Sequence, residues 1–133
     1  MSISDESYDI AETAFYKIFL KSDPTQFYIG STYKLSSRKS HHKKNVSNKR
    51  SKLYWTRLYQ FIREKGGWDM FELELLYKAK FETKEERLVE EQTILNILNP
   101  PLNSISACKC IKDYVFDVDG VISKLNPISR ASE

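Results

Sequence analysis

Glu91 is the side chain whose position most needs a chemical explanation. It lies three residues after Leu88 and four before Leu95, so on a helix it interrupts an apolar stripe that continues to Leu98. Burying an unpaired carboxylate costs several kcal/mol. Either the helix turns to let Glu91 reach water, as an ordinary boundary residue would, or the carboxylate holds a cation.

An arginine and a histidine share one face of an earlier predicted helix. In a helix over residues 34–45, Leu35, Arg38 and His42 fall at positions i, i+3 and i+7. Thr32 is positioned to cap its start. Arg38 and His42 therefore point the same way, and such a pair suits phosphate contacts even in a protein without catalytic activity.

Two tyrosines lie on a predicted β-hairpin. The aromatic and β-branched runs 14–20 and 26–31 contain Tyr16 and Tyr28, and a five-residue segment with Asp and Pro separates them. We expect the two strands to pair antiparallel. Tyrosines on such strands are ordinarily packing residues whose hydroxyls reach water.

A second helix is predicted over residues 52–65, where Gly66 ends it. Its apolar side chains recur at i, i+3, i+4 and i+7, a spacing typical of a core-facing stripe. We expect this stripe to be buried. It consists of Trp55, Leu58, Tyr59 and Ile62.

A third strand and a third helix complete the pattern. Residues 70–77 alternate apolar and acidic side chains, which predicts a strand with Phe71, Leu73 and Leu75 facing the core. Residues 84–98 form a helix that opens on a capping box of Thr83 and Glu86 and ends at the prolines that follow. The predicted fold contains both helices and strands (α/β in the broad sense, α+β in the narrow one): a small, three-stranded, mostly antiparallel sheet flanked by helices.

The middle third of the chain is strongly basic. Between residues 33 and 65 there are eleven Lys or Arg residues and one acid, Glu64, so this third has a charge of about +10 although the whole chain is only +3. Aromatic side chains alternate with these cations, as in surfaces that bind nucleic acids. The candidate DNA-binding residues are Lys34, Lys39, Lys43, Lys44, Lys49, Arg50, Lys52 and Arg57.

Short motifs at defined spacings make the sequence similar to the GIY-YIG nuclease superfamily. The tripeptide YIG stands at 28–30, and AFY at 14–16 takes the place of GIY, one hairpin apart. Arg38 follows the glycine of YIG by eight residues and His42 follows four residues later, as in the family. Ala14 and Phe15 depart from the Gly and Ile of the first motif.

The resemblance extends to the third helix. The family's catalytic glutamate precedes a helix-ending proline by nine residues and an asparagine by twelve, and from Glu91 these steps reach Pro100 and Asn103. Glu90 misses both spacings and lies off the apolar stripe. The similarity covers about residues 13–104.

The resemblance implies a metal-dependent endonuclease that hydrolyses DNA phosphodiesters with one Mg²⁺ or Mn²⁺. Glu91 would be the metal ligand, which suits a hard cation that also takes water and phosphate oxygens. Tyr16 would be the general base and Tyr28 would orient the water. Arg38 would hold the scissile phosphate, and His42 would assist proton transfer or contact phosphate.

The domain boundaries follow from the same pattern. Residues 1–12 are a polar lead, 13–104 the nuclease-like domain, and 105–133 a C-terminal extension in which residues 114–123 suggest a small hairpin turning at Asp119-Gly120. This extension is too short for a separate DNA-binding domain, so we expect low sequence specificity, or targeting by a homodimer or a partner protein.

Composition excludes several other classes of protein. No stretch of 18 apolar residues could span a membrane, and the acidic N-terminus is unlike a secretory signal, so we expect an intracellular protein. Cys108 and Cys110 are too closely spaced for a disulfide framework or a two-knuckle zinc site. The alternative function is a catalytically inactive, basic nucleic-acid-binding module of the same fold.

Overall fold

Three antiparallel strands form the sheet of this protein. The computed structural model describes residues 12–103 and 118–125. Strands β1 (Glu12–Leu20), β2 (Asp23–Thr32) and β3 (Phe71–Lys80) are arranged in the order β2-β1-β3, and both pairings are antiparallel. The predicted α+β fold, a small three-stranded sheet flanked by helices, is therefore confirmed.

Four helices and one 3-10 turn lie around the sheet in the described part of the chain. Helix α1 follows the hairpin, α2 and the 3-10 turn precede β3, α3 follows β3, and α4 comes after a gap in the described residues. The bounds are α1 Leu35–Asn45, α2 Arg57–Glu64, the 3-10 turn Trp68–Met70, α3 Lys84–Leu98 and α4 Val118–Leu125.

The helices cover both faces of the sheet because side chains alternate along each strand. Tyr16 and Ile18 point to one face, where they pack with residues of α1, α2 and the following strand. Phe15 and Ile29 point to the other face and pack with Ile94 and neighbours on α3 and α4. β1 is the central strand, and most of its residues are buried.

The ends of α3 agree with the prediction and the start of α1 does not. Thr83 Oγ1 accepts the backbone N–H of Glu86 at 3.1 Å, and α3 ends at Asn99 in the left-handed conformation (φ 50°). The N-cap of α1 is Lys34, not Thr32, and it makes no side-chain cap bond. Thr32 Oγ1 instead accepts the N–H of Lys34 within the preceding turn at 3.2 Å.

Helix α2 is shorter than predicted, and this overturns the placement of Trp55 in the core. Thr56 caps the helix by accepting the N–H of Tyr59 at 3.4 Å, and residues 51–55 form turns before it. Leu58, Tyr59 and Ile62 are buried as predicted, but Trp55 precedes the helix and is 71% exposed. The i, i+3 spacing from Trp55 to Leu58 has no helical meaning because the backbone between them is not helical.

A bulge limits the predicted alternation in β3. Tyr77 lies opposite Phe15 and Leu75 opposite Tyr16, so Leu76 is the extra residue. Leu76 and Tyr77 both pack against the cluster around Phe15. Phe71 and Leu73 pack as predicted, whereas Leu75 is 42% exposed and the expectation that it faces the core is wrong.

The predicted turn at Asp119-Gly120 is also wrong. Both residues lie in α4, whose Val121 is buried in the cluster with α3. The remainder of the predicted hairpin, with Cys108 and Cys110, lies outside the described residues. None of the described helices is both long enough and apolar enough to cross a membrane.

Candidate functional site

Gly30 allows Tyr16 and Tyr28 to approach each other across the hairpin. Tyr16 is opposite Gly30 in the β1–β2 pairing, and Tyr28 is opposite Ile18, so both phenol rings lie on the same face, 6.4 Å apart. A Cβ atom on residue 30 would lie 2.5 Å from the Tyr16 hydroxyl and 3.0 Å from the Tyr28 ring. The glycine of the YIG tripeptide is therefore required by the space that Tyr16 fills.

His42 joins two buried tyrosines from different elements. Its Nε2 is 2.9 Å from the hydroxyl of Tyr16 on β1, and its Nδ1 is 2.8 Å from the hydroxyl of Tyr59 on α2. Trp68 stacks on the imidazole with an interplanar angle of 11°. These contacts hold the ring in one orientation, with the Tyr16 hydroxyl on the side of the sheet.

The electrostatic environment keeps His42 neutral. Burial, followed by the positive charges of Arg38 and His41, lowers the pKa of His42 from 6.5 to about 4. A neutral imidazole has one N–H donor and one acceptor nitrogen, so one of the two tyrosines donates to the ring and the other accepts from it. Tyr16 donates to Nε2 in the tautomer in which Nδ1–H donates to Tyr59.

Glu91 is tied to the edge strand by a hydroxyl and an arginine. Its Oε1 accepts the Ser31 hydroxyl at 2.7 Å, and the guanidinium of Arg87, one turn earlier on α3, is 3.8 Å from the same oxygen. Arg87 also donates to Ser31 Oγ at 3.1 Å. The Glu91 side chain is 16% exposed. From the sequence, the carboxylate of Glu91 is expected either to reach water or to pair with a cation. It does both: Arg87 is its cationic neighbour, and its side chain is partly exposed to solvent.

The adjacent acid has a structural role. Glu90 Oε2 accepts the Tyr77 hydroxyl at 2.8 Å and pairs with Lys124 of α4 at 2.9 Å. Burial of the Tyr77 phenol, followed by its hydrogen bond to Glu90 and the charge of that carboxylate, raises the pKa of Tyr77. Glu90 thus fastens α3 to β3 and α4, while Glu91 points to the end of β2.

The charges of Glu91 and Arg38 act on both hairpin tyrosines. Burial raises the pKa of Tyr16 and of Tyr28; Glu91 raises both further, and Arg38 lowers both. Electrostatic effects of this kind require proximity. The rings of Tyr16, Tyr28 and His42 lie within 6.4 Å of one another. Arg38 is one turn before His42 on α1, and Glu91 contacts Ser31, the residue after Gly30 on β2. Among the described residues, no hydrogen bond or ion pair joins Arg38 or Glu91 to the two tyrosines.

A cavity of about 330 Å³ opens beside these residues. Three of its lining residues, Lys34, Arg38 and Arg87, are cationic, and Thr13 and Ser31 contribute hydroxyls. Among the described residues, no hydrogen bond or ion pair uses the guanidinium of Arg38, and Thr13 Oγ1 and Arg87 Nε are buried without a hydrogen-bond partner. A phosphate group in the cavity would supply acceptors to the Arg38 guanidinium.

Asn103 fixes the segment after α3 against the YIG strand. Its side chain accepts the N–H of Ile29 and donates to the carbonyl of Ile29, both at 2.9 Å, and the N–H of Leu102 bonds to the Phe27 carbonyl. This paired amide contact holds the segment that follows α3 against β2, next to Tyr28.

The predicted DNA-binding cations are all exposed, and they lie on α1, on the turns after it and at the start of α2. The structure also adds site residues that the sequence did not indicate. Tyr59 and Trp68 hold His42, and Ser31 and Arg87 contact Glu91. The sequence places Tyr59 in an apolar stripe, and nothing in its spacing distinguishes its hydroxyl from those of ordinary core tyrosines.

Metal binding at this site would rest on few protein atoms. Within residues 12–103 and 118–125, no group of three or more His, Cys, Asp or Glu side chains is arranged to hold a metal ion. The contacts of Glu91 with described residues all use Oε1. One carboxylate suits a hard divalent cation such as Mg²⁺, which retains several waters and takes phosphate oxygens as ligands.

Comparisons of the chain with protein-family models, with curated proteins and with solved structures found no match.

Proposed function

We propose that this protein is a divalent-metal-dependent endonuclease that hydrolyses phosphodiester bonds in DNA, with a catalytic domain of the GIY-YIG type. The observation that carries the proposal is the cationic cavity lined by Arg38, Ser31 and Arg87. Ser31 and Arg87 are the contacts of Glu91, and Arg38 lies one turn before His42, whose Nε2 is 2.9 Å from the Tyr16 hydroxyl. The motif spacing supports the same proposal, since it singles out Tyr16, Tyr28, Arg38, His42 and Glu91 as the candidate catalytic residues.

Arg38 is the residue best suited to hold the scissile phosphate. It lines the cationic cavity, and its fork of N–H donors is not used by other described side chains. Lys34 and Arg87 line the same space. Negative charge grows on the phosphoryl oxygens as water attacks, so these cations stabilise the transition state more than the bound substrate.

Glu91 would hold a Mg²⁺ or Mn²⁺ ion through one carboxylate. When bound, such an ion polarises the phosphate and replaces the negative charge beside the tyrosines with a positive one. For the metal to be held, the carboxylate must turn from Ser31 and Arg87 or share its oxygens with them. Arg87 is then free to contact phosphate.

Tyr16 and His42 provide a route for the proton of the attacking water. The Tyr16 oxygen takes that proton while its own proton passes to Nε2 of His42, 2.9 Å away. Arg38 lowers the pKa of His42, and a phosphate bound to Arg38 offsets this charge, which favours protonation of His42 when substrate is present. Tyr28, on the same face, orients the water.

The silent nucleic-acid-binding module is the alternative, and one observation favours it. Burial and the charge of Glu91 raise the pKa of Tyr16, which opposes its action as a base near neutral pH. Ala14 and Phe15, where the family has Gly and Ile, are both buried in the central strand. Such a protein would keep the basic surface and bind DNA without cutting it.

Incubation with supercoiled plasmid distinguishes the two functions. We expect wild-type protein to nick or linearise the plasmid with Mg²⁺ or Mn²⁺, and to leave it supercoiled when EDTA removes the metal. A gel-shift assay in EDTA provides the control for binding. Binding without cleavage under any of these metal conditions would support the silent module instead.

A further inference from the structure

Trp55 is the most exposed of the large apolar side chains in the described structure. Its side chain is 71% exposed, although it directly precedes a helix whose Leu58, Tyr59 and Ile62 are buried. Burial of so large an aromatic surface would be favourable, and single exposed apolar residues are nevertheless common. Exposure alone therefore assigns no role, and the surroundings of Trp55 decide the question.

The turn that presents Trp55 is held by several interactions. The guanidinium of Arg63 stacks on the Tyr54 ring at 3.6 Å and donates to the backbone carbonyls of Val46 and Tyr54 at 2.6 and 2.7 Å. Gln60 Nε2 donates to the carbonyl of Trp55 at 2.5 Å, and the Trp55 ring meets Tyr54 nearly at right angles, 4.8 Å between centroids. The indole is thus presented on an ordered scaffold.

The cations around Trp55 indicate a polyanionic ligand. Lys49, Arg50, Lys52 and Arg57 are all exposed in the same short segment, and the sequence has no acid between residues 33 and 63. A positively charged groove combined with an exposed aromatic ring is the arrangement that binds single-stranded nucleic acid: cations follow the phosphates and the ring stacks on a base. Leu53 is the one other exposed large apolar residue in this segment, which is too little apolar surface for membrane insertion.

Trp55 is also connected to the candidate catalytic site. Helix α2 begins two residues later, and Tyr59, its third residue, contacts His42. Arg57 donates to the carbonyl of Pro101, in the segment that Asn103 holds against β2.

We propose that Trp55 is a stacking platform for an unpaired nucleobase, so that the preferred ligand is nucleic acid with a single-stranded or unpaired region. The proposal rests on the proposed function for the nature of the ligand, and it adds the substrate class: base-paired ends and continuous duplex offer no free base face to Trp55. The cations supply affinity for any nucleic acid, and Trp55 supplies the preference for unpaired bases.

Binding in EDTA tests this directly, because no cleavage occurs there. The ligands are a 12-nucleotide single strand, the same length of abasic strand and a blunt 12-base-pair duplex. We expect wild type to prefer the strand with bases over the abasic strand by about tenfold. Trp55→Ala should abolish this preference without affecting duplex binding, and Trp55→Phe should retain most of it.

Further measurements distinguish base stacking by Trp55 from the attraction of the cations and from binding to a membrane. Lys52→Gln should weaken all three ligands and reduce the slope of log K against log salt by about 0.7 for single strands, whereas Trp55→Ala should leave that slope unchanged. Tryptophan emission should be quenched by the single strand in wild type and far less in Trp55→Phe. A response to anionic vesicles with none to oligonucleotides would overturn the platform.

Equal losses for all three ligands in Trp55→Ala, or no loss for any, would also overturn it. The binding test is independent of cleavage. A Trp55-dependent preference in a protein that never cuts plasmid would support the stacking platform and contradict the proposed endonuclease function. Plasmid cleavage without any effect of Trp55→Ala on binding would support the endonuclease function and contradict the stacking platform.

Discussion

The hydroxyl of Tyr16 on β1 lies 2.9 Å from Nε2 of His42 on α1, in a buried contact between residues 26 positions apart. The second ring nitrogen of His42 is occupied by Tyr59. Tyr28, the other hairpin tyrosine, has its ring 6.3 Å from the imidazole and makes no hydrogen bond with a described residue through its hydroxyl. The two tyrosines thus have different surroundings, and their substitution has different consequences.

Tyr16→Phe should cost stability and Tyr28→Phe should not. Loss of the Tyr16 hydroxyl leaves a buried histidine nitrogen without a partner, a penalty of about 1–3 kcal/mol. Loss of the Tyr28 hydroxyl leaves packing intact. Denaturant unfolding measures the stability of both variants.

In single-turnover cleavage, Tyr16→Phe should be inactive at every pH, while Tyr28→Phe should keep a residual rate that rises with pH. Normal cleavage by both variants would reduce the tyrosines to packing residues.

Stability should fall as pH decreases from 6.5 toward 4. The pKa of His42 is about 4 in the folded protein and 6.5 in its ordinary state, so the unfolded chain takes up a proton in this range and the folded protein does not. The contribution of neutral His42 is complete above pH 6.5 and is lost as pH falls through 4, about 3 kcal/mol in total. Urea unfolding at several pH values measures it.

His42→Gln provides the comparison for this pH effect. It removes the imidazole, so its free energy of unfolding should vary less between pH 6.5 and 4 than that of wild type. His41→Gln, on the exposed side of α1, should retain most of the dependence. Parallel curves for wild type and His42→Gln would show that His42 does not titrate in the way inferred here.

Gly30→Ala should displace the Tyr16 phenol. The added methyl group would lie 2.5 Å from the Tyr16 hydroxyl and 2.6 Å from Cζ, distances that require movement of the ring or of β2. We expect a loss of about 1–3 kcal/mol in stability and a larger relative loss of cleavage by the folded protein. Gly67→Ala is the control: its φ of 106° makes alanine strained, but nothing lies within 4 Å, so the folded variant should cut normally.

The hairpin and the third helix could be predicted from sequence because each depends on local pattern. Alternation predicts which face Tyr16 and Tyr28 share, and the Thr83 cap with the following prolines fixes the helix that presents Glu91. The steps from Glu91 to Pro100 and Asn103 distinguish it from Glu90 in the sequence, and the choice between the two acids stays a prediction.

Features that depend on tertiary structure could not be predicted. The helical spacing of Trp55 indicated a buried residue, but a cap at Thr56 begins the helix later and leaves the indole outside. Leu75 keeps the register of Leu73, before the bulge at Leu76, and is nevertheless 42% exposed, so alternation along the strand does not by itself decide burial. The bonds of Tyr59 to His42 and of Ser31 to Glu91 join distant segments and leave no local signal.

Arg38→Ala should affect the rate more than binding. If its guanidinium stabilises the charge that develops on phosphate, single-turnover cleavage at saturating DNA should fall roughly 10²-fold or more. Lys43→Ala and Lys49→Ala, which remove exposed cations away from the cavity, should weaken binding with modest loss of rate at saturation. Small, equal effects from all three would make Arg38 an ordinary phosphate contact.

The most direct measurement is plasmid cleavage by Glu91→Gln beside its matched neighbour Glu90→Gln. Both replace a carboxylate on the same turn of α3, and the two side chains are equally exposed. Glu91→Gln removes the only proposed metal ligand and should abolish cleavage while DNA affinity stays within a few-fold. Glu90→Gln breaks the Lys124 pair and should lower stability, but the folded fraction should cut DNA. Cleavage by Glu91→Gln with an inactive Glu90→Gln would contradict the assignment of the metal site.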